Sequence, residues 1–343
     1  DVARYLGISK ATVSLAVNGK PGVNEQTRQK ILQCIAQMEK NDGIILEKNV
    51  PKQLHSLRII KVVILNHRKQ VVCDPELDLW SEVLSTFDIE ARKRGYLYGL
   101  TYLNETDEDL QAIIDECNLD IVAGVILYGT EMSVTDHKMI RQIHKPLVIY
   151  DYEMPDGAYS SVCIDNTRAV EMALSVLNKA GASDICYLGT GKDIYNFNKR
   201  REAYQYLLSK RELFPQKGDM VILGNTIEEI TRQAINYLNT HKLPNAFLME
   251  NYQVSIGMLA AVRKLGIMIP EELKLIGIDE VPDYVVQDMK LTCIRIPHVG
   301  RAIMAMLLLD GEISSSLNTK IKVFAVPELA KGGQRIRAGI LNI

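Results

Sequence analysis

The 343-residue sequence lacks the features of membrane proteins and of disulfide-rich domains. Its longest apolar runs, such as residues 303–309, fall far below the roughly 20 residues that a membrane-spanning helix needs. No signal-peptide pattern opens it, so we expect a cytoplasmic protein with no membrane partner. Its six cysteines lie far apart without a C-x-x-C pair, which argues against a zinc knuckle or a disulfide framework and favours buried, reduced thiols.

Catalytic motifs are missing as well. The sequence contains no H-E-x-x-H, P-loop, G-x-S-x-G or G-x-G-x-x-G pattern, and its six histidines are scattered. We therefore predict that the protein is not an enzyme and has neither a cofactor nor a metal site.

Charge is distributed unevenly along the chain. Residues 1–60 hold nine Lys/Arg against five Asp/Glu, whereas the remainder holds 31 against 37. A basic N-terminal segment followed by an acidic remainder suggests that the segment binds phosphate groups. A solvated surface without such a role can differ in net charge by a similar amount.

The first forty residues have the pattern of three short helices separated by turns. Gly7 ends the first helix, Ser9 is a good N-cap for the second, and Asn24 caps the third. The second helix has Val13 and Ala16 or Val17 on its inner face and small or polar residues outside, which is typical of a recognition helix. Residues 1–42 are thus predicted to form an all-α helix-turn-helix headpiece.

These residues also resemble a known family. Asp1-Val-Ala-Arg-Tyr-Leu-Gly-Ile-Ser-Lys-Ala-Thr-Val-Ser14, followed by Val17-Asn18-Gly19, is similar to the headpiece of the lactose-repressor (LacI/GalR) family; a generic three-helix packing module is the alternative. The resemblance implies that Lys10, Ala11 and Leu15 meet base edges and that Thr12 and Ser14 contact phosphates and nearby bases. Asn18 completes the candidate DNA-binding set on this helix. Family members usually have arginine in place of Leu15, so the operator should differ at that step.

Residues 43–58, the predicted linker, depart from the family. The family has a tyrosine-proline-asparagine stretch and a hinge helix there, with a leucine that wedges into the minor groove. Here Pro51 disfavours a helix, so we expect an extended or poorly ordered segment without DNA. Leu54 is the candidate wedge, and a plain linker is the equal alternative.

From Ile59 onward, strand-like apolar runs such as Met220–Leu223 and Ala246–Met249 alternate with helix-period segments. This alternation predicts βαβ units in parallel, doubly wound sheets, and the length predicts two lobes. No short-period repeat or low-complexity tract interrupts it.

The resemblance continues through this α/β part, at Cys163-Ile-Asp-Asn166, Leu188-Gly189, Ile276-Gly-Ile-Asp-Glu280, Leu291-Thr292 and Pro327-Glu-Leu329. It implies a two-lobed, periplasmic-binding-protein-like core with a ligand between the lobes. The implied bounds are 59–160 plus 292–322 for the first lobe and 161–290 plus 324–343 for the second, joined by three hinge strands.

The loops at the carboxyl ends of the strands should line the cleft. On that ground Asn66 and Tyr128 are candidate ligand-binding residues. The resemblance adds Arg200, Asn251 and Asp279, and more weakly Asp151, for which a structural role is equally open. Where the family has an asparagine-aspartate pair this sequence has Asn251-Tyr252, and Tyr252 either stacks on a ligand or packs against a helix. Alanine at Arg200 or Asp279 is expected to weaken ligand binding with little effect on folding.

Together these observations predict a homodimeric repressor that binds double-stranded operator DNA and responds to a small sugar-like effector. A regulator that responds to a purine or to a protein co-effector is the alternative, and a sugar-binding protein without DNA function is a weaker one. The sequence leaves open the effector, the direction of its effect, the operator and any tetramer.

Overall fold

A computed structural model of the chain describes residues 9–17, 22–24, 26–31, 58–66, 81–103, 107–210, 218–286, 289 and 291–330. The chain divides into two compact units, Asp1–Leu57 and Arg58–Ile343. The first predicted helix, the linker before residue 58 and Leu54 lie outside the described residues, so the extended linker stays a prediction.

The first unit contains helix α1, Lys10–Val17, and a helical segment at residues 26–31. The predicted caps are confirmed, since the Ser9 hydroxyl accepts from the Thr12 amide at 3.1 Å and the Asn24 side chain accepts from the Thr27 amide at 2.7 Å. Ala16 and Ile31 are buried, as a helical packing stripe requires.

The described part of the second unit is built from alternating strands and helices. The strands are β1 Ile59–Leu65, β2 Leu97–Leu103, β3 Val122–Tyr128, β4 Leu147–Tyr150, β5 Ser160–Ile164, β6 Ile185–Thr190, β7 Met220–Leu223, β8 Ala246–Met249, β9 Lys274–Ile278, β10 Thr292–Arg295, β11 Lys322–Ala325 and β12 Glu328–Ala330. The helices are α2 Ser81–Lys93, α3 Asp107–Asn118, α4 His137–Ile140, α5 Asn166–Lys179, α6 Tyr195–Ser209, α7 Ile227–Thr240, α8 Tyr252–Leu265, α9 Asp283–Val286 and α10 His298–Ile313, with a 3-10 turn at Val134–Asp136.

The strands form two six-stranded sheets, one in each lobe. Their orders are β11-β5-β4-β3-β1-β2 and β12-β10-β9-β8-β6-β7. All described pairings are parallel except that of β12 with β10. The predicted α/β fold with two parallel, doubly wound sheets is therefore confirmed.

Each sheet is covered on both faces, which is why its central strands are apolar throughout. In β1, Ile60, Val62 and Ile64 belong to one core cluster, whereas Val63 and Leu65 belong to another on the opposite face. The second sheet is likewise flanked by two clusters. None of the described helices is long and apolar enough to cross a membrane.

Within the described residues the chain crosses between the lobes three times, and each crossing lies later in the chain than the predicted bound. Strand β5 pairs with β4 of the first sheet before the chain enters α5, which packs in the second lobe. Strand β10 pairs with β9 of the second sheet before α10 returns to the first lobe, and β11 pairs with β5 before β12 joins the second sheet. The predicted bounds at 161 and 292 thus assign β5 and β10 to the wrong lobes. An apolar run shows that a strand is buried but not which sheet it extends.

Candidate functional site

A cavity of about 130 Å³ lies between the two lobes, beside the carboxyl ends of β4 and β9. Its polar lining is formed by Glu82, Thr130, Asp151, Asn196, Arg200, Asn251, Asp279, Glu280 and His298, and its apolar lining by Ile164, Ile194, Phe197, Tyr252 and Ile296. Both lobes contribute, so a bound molecule would contact the two together. This is where the sequence places the cleft, and it is where ligands bind in open parallel sheets.

The two strand-end aspartates have the same unusual backbone. Asp151 follows β4 and Asp279 follows β9, and each has φ of 74°. Each amide donates to the neighbouring hinge strand, that of Asp151 to Val162 and that of Asp279 to Ile294. Non-glycine residues adopt this region at a cost, and such strain is concentrated at functional sites. The repeated geometry directs one carboxylate from each lobe to the cavity.

Arg200 from α6 is buried and fixed by three polar partners. Its Nε donates to Asn166 Oδ1 at 3.0 Å, and its Nη1 donates to the Glu250 carbonyl at 2.7 Å and to Asp279 Oδ2 at 3.3 Å. Its Nη2 makes no hydrogen bond to another described residue. Burial opposes the charge of Asp279, but the Arg200 charge and the hydrogen bond from His298 outweigh it and lower its pKa to about 2. The pair is therefore ionised at neutral pH.

Asp151 is engaged more completely than Asp279. Thr130 donates to Asp151 Oδ2 at 2.6 Å, and Arg301 Nη2 donates to Oδ1. Arg301 lies over the Tyr150 ring, 4.4 Å from its centroid. Burial disfavours the guanidinium charge, but Tyr150 and Asp151 reverse the effect and raise the pKa of Arg301. Asp151 and the Tyr150 ring thus fix the position of the Arg301 guanidinium next to the cavity.

A second polar chain joins the lobes through two asparagines. Asn166 donates to Asn196 Oδ1 at 2.7 Å, and Asn196 donates to the Asp151 carbonyl at 3.3 Å. Since Asn166 also accepts from Arg200, both strand-end aspartates belong to one continuous network. Phe197, in the same turn of α6, packs into the core cluster of the first lobe.

Asn251 leaves one buried polar group for a ligand. Its Oδ1 accepts from the Val254 amide at 3.0 Å and caps α8, whereas its Nδ2 is buried and has no hydrogen-bond partner among the described residues. A buried donor without a partner costs free energy unless something in the cavity accepts from it. The neighbouring Tyr252 lines the cavity and also belongs to the second lobe's core cluster, so both predicted roles of Tyr252 fit its position.

Glu250, the residue before Asn251, is a buried structural anchor. Arg201 Nε donates to it at 2.6 Å, and the Tyr187 hydroxyl and the Thr190 amide donate at 3.1 and 3.0 Å. The adjacent arginines therefore differ in role, because Arg201 forms a buried ion pair with Glu250 whereas Arg200 lines the cavity.

Two predicted ligand residues do not line this cavity. Tyr128, the last residue of β3, is buried in the first lobe's core with its ring 4.8 Å from that of Tyr150. Asn66 is buried, and its amide donates to Leu103 at 3.0 Å. Both residues lie at the carboxyl end of a strand, where cleft residues are expected. Successive side chains of a strand point to opposite faces of the sheet, however, so a residue at this end can point into the core.

The segments at residues 128–131 and 190–198 follow strands β3 and β6 and contribute Thr130 and Asn196 to the cavity, as the strand order predicts, whereas sequence reasoning missed Asn166, His298 and Arg301. The signal for the last two was available, since His298 and Arg301 are polar residues spaced i, i+3 at the start of a helix whose next eight residues are apolar. Among the described residues, no cluster of His, Cys, Asp and Glu could hold a metal ion.

The candidate DNA-binding residues Lys10, Ala11, Thr12, Ser14 and Leu15 all lie on α1. Thr12 and Leu15 are half-buried, and the Thr12 hydroxyl is 2.8 Å from that of Ser9. The side chains of Lys10, Ala11 and Ser14, and the whole of Asn18, lie outside the described residues.

Comparison with known proteins adds two family matches. Residues 1–39 match the bacterial regulatory proteins of the lacI family, and residues 174–333 match a periplasmic binding protein-like domain.

Among curated relatives, the HTH-type transcriptional regulator GalS of Salmonella typhimurium is 26% identical over 91% of this chain and 88% of its own length. The HTH-type transcriptional repressor CytR of Escherichia coli is 24% identical over 90% of this chain and 88% of its own length.

Among solved structures, a transcriptional regulator CelR–cellobiose complex superimposes with a TM-score of 0.68 at 17% identity, covering 96% of this chain and 97% of that one. The lac repressor dimer bound to operator and the anti-inducer ONPF gives a TM-score of 0.67 at 17% identity, with 97% of both chains covered. These similarities support the same fold.

Proposed function

Since this chain belongs to the lacI family of bacterial regulatory proteins, we propose that it is a repressor whose affinity for operator DNA is modulated by a small polar molecule bound between the core lobes. The observation that carries the proposal is the cavity itself. It is shared by both lobes, and it presents the partnerless Asn251 donor beside the ionised Arg200–Asp279 pair.

The polar groups of the cavity suit a hydroxylated effector. Arg200 Nη2 and Asn251 Nδ2 can donate to hydroxyl or carbonyl oxygens, whereas the Asp279 carboxylate retains lone pairs for hydroxyl donors. The cavity volume of about 130 Å³ is several times the ~10–15 Å³ that a single water requires. That space suits a monosaccharide-sized molecule, and the cellobiose bound by the structural neighbour CelR is a carbohydrate as well.

A purine is the second candidate effector. Phe197 and Tyr252 supply aromatic faces on the cavity wall, and stacking on such faces would favour a flat heterocycle. A screen that includes both ligand classes decides between them.

For the DNA side, we propose a homodimer that places two copies of α1 in successive major grooves. Lys10, Ala11 and Leu15 would meet bases, Thr12, Ser14 and Asn18 would support them, and Leu54 would enter the minor groove. The structural neighbour solved as a dimer on operator DNA supports this arrangement. We propose no catalytic role and no cofactor.

The test begins with selection of binding sites from random DNA, followed by fluorescence anisotropy at two salt concentrations. Affinity for the selected site should fall steeply as salt rises, because phosphate contacts release counterions. Sugars, sugar phosphates and purines are then screened by thermal shift, since a ligand at 100 times its Kd stabilises a protein by about 2.7 kcal/mol.

Any effector found is added to the protein–DNA complex, and the change in operator affinity is measured. Asn251→Ala should lose the effector response, whereas a matched substitution at the exposed Asp120, Asp120→Asn, should keep it. Failure to select any DNA sequence would refute the regulatory function.

A further inference from the structure

His298 lies at the hinge, where the chain crosses from the second lobe to the first. Strand β10 ends three residues earlier, at Arg295, within the second sheet. Helix α10 begins at His298 and packs against α2, β3 and β4 of the first lobe. The backbone of His298 is held on both sides, since its amide donates to Ile296 at 2.9 Å and its carbonyl accepts from the Tyr150 hydroxyl at 3.3 Å.

The His298 imidazole contacts one ion pair in each lobe. Its Nε2 is 3.3 Å from Asp279 Oδ1, and Asp279 is paired with Arg200 in the second lobe. Its Nδ1 is 3.4 Å from Arg301 Nη1, and Arg301 is paired with Asp151 in the first lobe. The half-buried ring therefore contacts an ion pair of each lobe, and it is a second connection between them beside the Asn166–Asn196 chain.

The partners determine where the His298 proton must lie. A guanidinium can only donate, so Nδ1 must offer its lone pair to Arg301. An ionised carboxylate can only accept, so Nε2 must carry the hydrogen that is donated to Asp279. The arrangement is satisfied by one neutral tautomer of the imidazole.

Protonation of His298 would break this arrangement on one side. A second N–H on Nδ1 would face the Arg301 donor at 3.4 Å, with no lone pair left for that contact. The ring contacts Asp279, which is paired with Arg200, and Arg301, which is paired with Asp151, so both of these carboxylates are already engaged by arginines. Glu82 of α2 and Glu280 are further charged groups in the lining of the same cavity. The contact to Asp279 would persist, whereas the contact to Arg301 would become repulsive.

We propose that neutral His298 is a positioning residue that ties the two ion pairs together across the hinge and thereby sets the angle between the lobes. It links the Asp279 carboxylate, which faces the cavity, to the helix that carries the first lobe's arginine. A molecule that binds Asp279 therefore acts on the hinge through the same ring. This proposal concerns the regulation of the effector site and so rests on the proposed function.

The test measures the distance between the lobes by double electron–electron resonance on the full chain. Spin labels are attached through Lys138→Cys and Glu228→Cys, two exposed positions on α4 and α7, after replacement of Cys34 and Cys73 by serine. The labelled protein is diluted with unlabelled protein so that only distances within one chain are observed. His298→Phe keeps a ring but removes both nitrogens, and His144→Phe, at an exposed histidine of the first lobe, is the matched control.

At pH 8 we expect one narrow distance in the wild type and in His144→Phe, and a shift of at least about 2 Å in His298→Phe. Circular dichroism verifies folding, and His298→Leu, which also removes both ring nitrogens, replaces the phenylalanine variant if that one does not fold.

The proposal is overturned if His298→Phe keeps the wild-type distance. DNA affinity is measured on the same samples. If the lobe distance shifts in His298→Phe as expected but the wild type binds no selected DNA, the proposed function fails and the hinge proposal stands.

Discussion

Replacement of Asp279 by asparagine measures how much the ionised carboxylate contributes to stability. The pKa of Asp279 is about 2 rather than 3.8, because Arg200 and His298 outweigh the opposing effect of burial. At about 1.4 kcal/mol per pKa unit, this difference corresponds to about 2 kcal/mol in the free energy of unfolding. The asparagine side chain is nearly isosteric with that of aspartate but cannot ionise, so the variant isolates the charge.

The sign of the effect follows from the direction of the pKa change. Because the folded state lowers the pKa, the stabilisation is complete above the unfolded value of about 4 and is lost as pH falls through about 2. The wild type should therefore lose about 2 kcal/mol more than Asp279→Asn between about pH 6 and pH 2.

The assay is urea unfolding, followed by far-UV circular dichroism at several pH values for both proteins. Asp120→Asn, at an exposed aspartate of the first lobe, is the control and should track the wild type at every pH. If the difference in stability between the wild type and Asp279→Asn is the same at pH 6 and pH 2, Asp279 does not carry the charge that its surroundings indicate.

Three further substitutions have defined outcomes. Arg200→Ala leaves Asp279 without its paired cation, so urea unfolding should show a loss of about 3–5 kcal/mol in the free energy of unfolding. The sequence alone predicted little effect on folding, and a wild-type urea midpoint for this variant would show that the sequence-based prediction was right. Gly257→Ala brings its new Cβ to 2.4 Å from Ile230, so calorimetry should show destabilisation by about 1–3 kcal/mol with DNA affinity unchanged, and an unaltered Tm would contradict the packing. Leu15→Arg should create a guanine preference worth about 1–3 kcal/mol in a selection from random DNA, and an invariant guanine selected by both proteins would show a different docking of α1.

Local chemistry was enough to predict the elements. Met220–Leu223 and Ala246–Met249 are strands with the predicted bounds, because short β-branched and apolar runs between turn residues have few other stable conformations. Ser9 and Asn24 cap helices as predicted, since their side chains need only an amide three residues ahead.

The cavity was predictable only in part. Arg200, Asn251 and Asp279 line it. Asn251 directly precedes α8 and Asp279 directly follows β9, so the alternation of elements already places these two at one edge of a sheet, and Arg200 lies in the second turn of α6. Tyr128 ends a strand in the same way but points into the core, and neither residue type nor position along the strand reveals that difference.

The sequence by itself determined the element types, their order and a polar edge at the carboxyl ends of the strands, because each depends on interactions within a few residues or on a periodic pattern. Only the tertiary structure decided which of the two sheets contains β5 and which contains β10. It likewise decided that the Asp151 carboxylate pairs with Arg301, which lies 150 residues away in the chain. It also decided that His298 joins Asp279 to Arg301. Contacts of this kind depend on how two separately folded sheets are oriented about a hinge, and that orientation leaves no local pattern in the sequence.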